Sequence, residues 1–465
     1  MPKSPSRPVS PSPVTQTRRR FLRTATTAMT AGAVLPQFNI ARAGASANSR
    51  VNVAAIGVGG RGSANWGACR GENIVALCDI DDRSAARGFR ENPSAKRFRD
   101  FRVMLDKMGR EIDAVLVTTP DHTHFVAALS AMQMGKHIYI EKPLVHNVWE
   151  ARTLKKAARY YKVVSQMGNQ GHATDGIRSI KEWYQAGVLG QVREVHAWLN
   201  GPNFNGRYFV RPPQYPPSAQ ELPKGFEWDL WLGPAKDRPF SEAYAPRTWR
   251  GWWEFGGGLL GDWACHTLDG PFWGLDLGMP SSVGLRHREA SPAGLIAARS
   301  QVEYEFPEAG GRPAVRLTWY EGGLKPRNRP EWGLKELPST GMIMVGDRLS
   351  LMTGGRPNNP QLLPDSAWQE FKGSPVPKSI PRVDDGPQAE WLAAIKGEGP
   401  MPGSQFDYAA ELTEMVLLGV LAQRYSESFQ WDAEAMRITD KPHLNAHLRE
   451  PAREEWRMGD DLWRG

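Results

Sequence analysis

The feature that most constrains this 465-residue chain is the run Gly57-Val58-Gly59-Gly60-Arg61-Gly62, which follows the apolar stretch 51–56, with Asp79 standing 22 residues after Gly57. Glycines at 57 and 59 allow a tight turn and a close backbone approach, and a helix opening behind them presents free N–H groups to an anion. A lone glycine run is weak evidence. Here the preceding strand, the following helix and the acid at the end of the next strand complete a dinucleotide-binding fingerprint, in which the carboxylate binds ribose hydroxyls. Asp79 would repel a 2′-phosphate, which favours NAD, while Arg83 lies close enough in sequence to admit NADP.

Around this fingerprint, apolar runs at 51–56, 74–78, 114–117, 137–140 and 163–165 alternate with helical patterns. Such alternation predicts a doubly wound parallel sheet with helices on both faces, a Rossmann domain over 51–172. Beyond it the pattern changes. A helix to about Ala186 is followed by strand-like runs at 192–199, 301–306, 315–320 and 342–345 without helices between them. That predicts an α+β domain over 173–456 with a large, mostly antiparallel sheet. Residues 387–396 and 406–425 read as helices that return to pack on the body, and 201–246, rich in proline and aromatic residues, as long ordered loops. The fold class is thus α/β, with residues 457–465 as a short tail.

Residues 1–43 read as a twin-arginine export signal: Thr17-Arg18-Arg19-Arg20-Phe21-Leu22-Arg23, an uncharged stretch at 24–36, and the small-residue cleavage site Ala41-Arg42-Ala43. Residues 44–50 are then a linker. The formal charge of +8 suggests a polyanion partner, yet Lys3, Arg7, Arg18, Arg19, Arg20, Arg23 and Arg42 lie in the signal, and removing them leaves +1. Nucleic acid is therefore not an expected partner. Glu411 and Glu414 interrupt the apolar stretch 408–421, so no membrane anchor is expected. The mature chain is expected in the periplasm or otherwise exported, with the twin-arginine machinery as a transient partner. That machinery moves folded proteins, which lets a bound cofactor travel along. Cys69, Cys78 and Cys265 are too few and scattered for a disulfide framework and read as buried thiols.

Three further segments carry chemistry. Thr118-Thr119-Pro120-Asp121-His122-Thr123-His124 and Glu141-Lys142-Pro143 each follow a strand, and Asp262-Trp263-Ala264-Cys265-His266 lies in a glycine-opened segment of the second domain. If 262–268 is helical, Asp262 and His266 share a face, where the carboxylate can orient the imidazole and give it a pKa suited to proton transfer near neutrality. Neither a cysteine cluster nor a His-Glu-x-x-His helix accompanies His122 and His124, so no metal site is expected.

Together these segments resemble the Gfo/Idh/MocA family of sugar and cyclitol oxidoreductases, over most of the chain from 51 to about 456. The resemblance implies that Lys142 lies beside nicotinamide and substrate, where its ammonium favours alkoxide character. It implies His266 as general base with Asp262 as its partner, and a cis peptide before Pro143. The implied cofactor set is Gly57, Gly59, Gly60, Arg61, Gly62, Asp79, Thr118, Thr119, Pro120, His124, Glu141, Lys142 and Gln170. His172, at the end of Gly168-Asn169-Gln170-Gly171-His172, is expected to face the same cleft. Trp249 and Trp252, with Trp253, are candidates for stacking on a sugar ring. A homo-oligomer paired through the second-domain sheet is also implied.

The function expected is an exported NAD-dependent oxidoreductase acting on a secondary alcohol of a sugar or cyclitol. The alternative is a redox-neutral glycosidase that oxidises, eliminates and re-reduces a glycoside, with a further acid or base drawn from Tyr208 or His172. A non-catalytic sugar-binding or assembly protein is the third reading, and joint retention of Lys142, Asp262 and His266 argues against it.

Overall fold

Four strands of the first sheet are almost wholly apolar because a parallel sheet covered by helices has no wet face. They are β1 (Asn52–Ile56), β2 (Asn73–Cys78), β4 (Ala114–Val117) and β5 (His137–Ile140), joined by β3 (Lys96–Phe98) and β6 (Ser165–Met167). The computed structural model describes residues 50–458 and 462; the expected export signal, nearly all of the linker and most of the tail lie outside the described residues. All six strands run parallel in the order β3-β2-β1-β4-β5-β6, so the order reverses between β1 and β4. Ile56 lies beside Cys78 and Val117, Val117 beside Ile140, and Ile140 beside Met167. One residue further along each strand stand Gly57, Asp79, Thr118, Glu141 and Gly168, which the register gathers at one edge of the sheet. That edge, at the reversal of strand order, is where such sheets bind ligands.

The outer strand β3 was not expected from the sequence, because its Lys-Arg-Phe run is short and half polar. The last strand sits at Ser165–Met167 rather than 163–165.

The second sheet has nine strands: β7 (Val192–Leu199), β8 (Ser282–Arg288), β9 (Ser300–Phe306), β10 (Val315–Glu321), β11 (Gly341–Gly346), β12 (Ser350–Thr353), β13 (Gln361–Leu363), β14 (Phe429–Asp432) and β15 (Arg437–Ile438). Their order is β13-β12-β11-β7-β10-β9-β8-β14-β15, and only the β7–β10 pair is parallel. The largely antiparallel sheet agrees with expectation. The strands the sequence hid are short, like β12 to β15, or mix charge into the run, like β8.

Two late helices fasten the halves together. Arg152, Lys155 and Arg159 on helix Val148–Tyr161 face Glu414, Glu411 and Asp407 on helix Phe406–Tyr425, each pair at 2.6 Å. The two more exposed pairs, Lys155–Glu411 and Arg159–Asp407, contribute about 0.2–1 kcal/mol each and chiefly set the antiparallel alignment, whereas Glu414 is buried and Arg152 holds both its oxygens. Helix Gly386–Lys396 packs on the first sheet, where the fully buried Trp391 meets the Tyr139 ring edge-on at 5.8 Å. From the same helix, Gln388 Nε2 donates to Asn65 Oδ1 (2.9 Å) and to the Tyr139 hydroxyl (3.1 Å).

Candidate active site

The glycine loop is shaped by what presses on it. Gly57 has φ +81°, and a Cβ there would collide with the Thr118 carbonyl; a Cβ on Gly62 would strike the Gly57 carbonyl. Trp66, fully buried, donates its indole N–H to the Val58 carbonyl at 3.1 Å and holds the loop from below. Gly60 caps helix Arg61–Ala68 without any side-chain hydrogen bond; the Gly62 and Ser63 amides turn back to the Gly59 and Gly60 carbonyls, which leaves the Arg61 amide at the helix start to a ligand. Asp79 Oδ2 accepts from the amides of Val58 (2.8 Å) and Gly59 (3.2 Å), and Oδ1 from that of Asp81 (3.0 Å). Burial pushes the Asp79 carboxyl up from its ordinary value, and the three amides counter this only in part. Arg83, which the sequence offered to a 2′-phosphate, instead grips Asp81 through Nε (3.0 Å) and Nη2 (3.2 Å). An uncapped helix start, glycines at the points of closest approach and a carboxylate at the next strand end fit NAD.

Glu141 is the hub of this side of the cleft. Its Oε1 accepts from Arg61 Nε (2.9 Å), Asn65 Nδ2 (3.1 Å) and Gln170 Nε2 (3.2 Å), and Asn65 also reaches Thr118 Oγ1 at 3.1 Å. Thr119 and Pro120 begin the turn to helix His124–Gln133. The His124 ring lies between two carbonyls, Nε2 at 2.9 Å from Thr119 and Nδ1 at 3.0 Å from Pro143. Burial lowers its pKa, so its single N–H ties one of these loops at a time. The Lys142–Pro143 peptide is cis, as the resemblance implied.

The second domain brings helix Gly258–Thr267 to the same edge. Lys142 Nζ donates to Asp262 Oδ1 at 2.7 Å and also to the Asp262 backbone carbonyl, while Arg250 Nε reaches Oδ1 at 3.1 Å. Burial pushes the Asp262 carboxyl up, but the Lys142 ammonium and the Arg250 guanidinium prevail and hold it far below the carboxylate range. His266, 3% exposed, is driven well below the ordinary histidine value by burial, with the charges of Lys142 and Arg356 adding to the effect. Its Nδ1 is buried and unpartnered.

This corrects the expected Asp262–His266 couple. Helical spacing does put the two on one face, yet no hydrogen bond joins them, because a carboxylate offered two cations binds those in preference to a neutral ring. The imidazole is consequently a weaker base than the spacing suggested. Its neutral form is the one present at physiological pH.

Other expectations also change. His172 is buried, with Nδ1 2.9 Å from Asp269 Oδ1; Asn169 and Tyr408 complete that carboxylate's partners at 3.0 and 2.6 Å. It therefore braces the loop beneath the cleft. Trp252 is core: its indole N–H donates to the Ala243 carbonyl (2.7 Å) and its ring packs edge-on against Tyr244. Trp253 is buried likewise, and Trp249 is buried with Arg250 lying 4.1 Å over its ring. Neither Trp249 nor Trp252 has a free face for a sugar. Tyr208 is exposed, with the Arg250 guanidinium 5.3 Å from its ring centre. The three thiols are buried, and burial pushes Cys69 and Cys265 up to about 12.

Sequence reasoning missed Arg250, Asp121 and Trp263 as parts of the site. Asp121 is buried, and burial pushes its carboxyl up to about 7 despite the nearby Arg250 charge. Arg250 stood between two tryptophans that drew attention to themselves. Trp263 was inside the quoted motif, and its ring is half-buried beside His266, 5.7 Å between centres.

The sequence model for the oxidoreductase family's NAD-binding Rossmann fold matches residues 51–169, and that for the Gfo/Idh/MocA C-terminal alpha/beta domain matches 174–307. The two together span more than half of the chain, which belongs to the Gfo/Idh/MocA oxidoreductase family and carries its NAD-binding fold. Inositol 2-dehydrogenase/D-chiro-inositol 3-dehydrogenase of Lacticaseibacillus casei is 32% identical over 34% of this chain and 47% of the relative. A glycosyl hydrolase family 109 protein of Solibacter usitatus is 31% identical over 33% of this chain and 38% of its own. The chain thus spans less than half of each of these relatives. The WlbA dehydrogenase of Bordetella pertussis, crystallised with NADH and UDP-GlcNAcA, shares the fold at a TM-score of 0.57 and 15% identity, over 82% of this chain and 99% of that one.

Proposed function

We propose that the chain is an exported NAD-dependent oxidoreductase that moves a hydride between a secondary alcohol of a sugar or cyclitol and a tightly held cofactor. The observation that supports it is the meeting of Lys142, at a strand end of the nucleotide domain, with Asp262 on the helix that carries a neutral His266. NAD, when bound, supplies the hydride acceptor. Lys142 donates to the reacting oxygen and stabilises negative charge as the hydroxyl gives up its proton. His266 takes that proton, a role its neutral state leaves open. Asp262, held ionised, aims the ammonium, and so acts as a positioning residue. The inositol dehydrogenase among the relatives accords with an alcohol substrate. Outside the cytoplasm the reduced cofactor would be reoxidised in place by a second carbonyl compound.

The test is the near-ultraviolet absorbance of the NAD-loaded mature protein against a panel of sugars, cyclitols and glycosides. Substrate-dependent reduction, slowed about 10²–10⁴-fold in Lys142→Met, is expected. Undiminished turnover in that variant would overturn the assignment. Release of aglycone from nitrophenyl glycosides without lasting reduction would replace it with the glycosidase reading.

A further inference from the structure

The cations around Asp262 are not all accounted for by carboxylates. Lys142 and Arg250 share Asp262, and Arg61 has Glu141. Arg356 is exposed and rests 5.0 Å above the Trp263 ring, with no acidic side chain pairing with it among the described residues. An exposed cation–π contact contributes only about 0.5–1 kcal/mol, less than a charge-assisted bond to an anion.

The backbone beneath this guanidinium is fixed. Thr267, next to His266, donates its hydroxyl to the Gly355 carbonyl at 2.9 Å, and Pro357 is buried against Gly171 and Gly176. Arg356 therefore stands on an anchored loop, close enough that its charge acts on His266, and among the described residues its guanidinium has no hydrogen-bond or ion-pair partner. Trp263 beneath it is only half-buried beside His266, and the part of its ring that Arg356 leaves uncovered can meet the apolar face of a sugar.

We propose that the substrate is a sugar bearing an anionic substituent, carboxylate or phosphate, that Arg356 binds while the sugar ring lies along Trp263. The proposal rests on the oxidoreductase reading and adds its substrate class. A planar guanidinium matches both anions through paired N–H donors.

The test compares matched neutral, uronate and 6-phosphate forms of glucose, galactose and mannose with the NAD-loaded mature protein, by turnover and by calorimetric binding. An acidic form should exceed its neutral counterpart in kcat/KM by at least about tenfold, and Arg356→Gln should remove most of that ratio through KM. Arg356→Lys should restore part of it. Preference for the uronate assigns a carboxylate, and preference for the 6-phosphate assigns a phosphate. Lys142-dependent turnover of neutral sugars with no acid preference, and with the acid-to-neutral ratio unmoved in Arg356→Gln, overturns this proposal and leaves the oxidoreductase. Absence of Lys142-dependent turnover across every pair overturns both.

Discussion

Asp79 and Asp262 are both carboxylates at the rim of one cleft, and their surroundings drive them in opposite directions. Asp79 is held by three backbone amides and burial still raises its pKa; Asp262 is held by an ammonium and a guanidinium and is driven far down. Peptide dipoles offset desolvation only in part, whereas two full charges in a poorly screened site exceed it. The amide-held carboxylate can exchange a partner for a ribose hydroxyl with little loss. The cation-held one cannot leave without stranding two charges. The nucleotide side is thus built to adapt to its ligand and the catalytic side to hold still.

The same substitution at both positions tests that contrast most strongly. Asp262→Asn should lower the unfolding free energy by about 3 kcal/mol, because Lys142 and Arg250 keep their charges and lose their counter-ion. Asp79→Asn should cost about 1 kcal/mol or less, since an amide oxygen still accepts from the loop N–H groups, while its KM for NAD rises. Urea midpoints showing equal losses would break the comparison.

A smaller effect concerns pH. His122 is lowered to about 3 by burial against Trp231 and Phe255 and stays neutral in the fold. Its unfolded form takes up a proton first, so the stability it contributes is complete above 6.5 and lost as pH falls toward 3. Over that window the thermal midpoint of His122→Phe should fall less steeply, or rise more, than that of the native chain, in which buried Asp121, Glu150 and Glu321, all raised to about 7, act in the opposite sense. A slope unaltered by the substitution would assign the acid sensitivity elsewhere, to Glu450 for example, whose pKa of about 2 places its loss below the ordinary glutamate value.

The smallest change is expected at the helix ladder, away from both carboxylates. Lys155→Ala should move the unfolding free energy by less than about 1 kcal/mol, measured by the same urea titration. A larger loss would mean that the ladder, and not the buried helix faces, fastens the halves.

What the sequence revealed and what it hid follow the same division. The glycine loop, Asp79, Lys142 and the Asp262–His266 spacing were legible because each depends on neighbours within one turn or one strand end. The partners of Asp262 were not, since Lys142 lies 120 residues away in the chain and Arg250 competes from the short 3-10 helix Thr248–Gly251. Helical spacing fixed where Asp262 and His266 start, but the charges of other segments decided where the carboxylate bonds. Likewise the tryptophan trio had the composition of a sugar platform, and only packing showed those rings closed off while Trp263 stayed half-exposed under Arg356. Strands β8 and β13 to β15 escaped because edge and half-exposed strands lack the apolar run that marks a central one, and the buried β12 because its four residues are too short a run to stand out.

Trp391 has one more consequence, for the order in which the molecule can be made. The ring that closes the core beneath β5 belongs to a helix that leaves the ribosome more than two hundred residues after the sheet it completes. Until then the early half is a sheet with one apolar flank uncovered, a state exposed to misassembly. The nascent chain therefore holds an unfinished nucleotide domain through most of its synthesis, and a polypeptide ending near residue 172 would lack the piece that seals it.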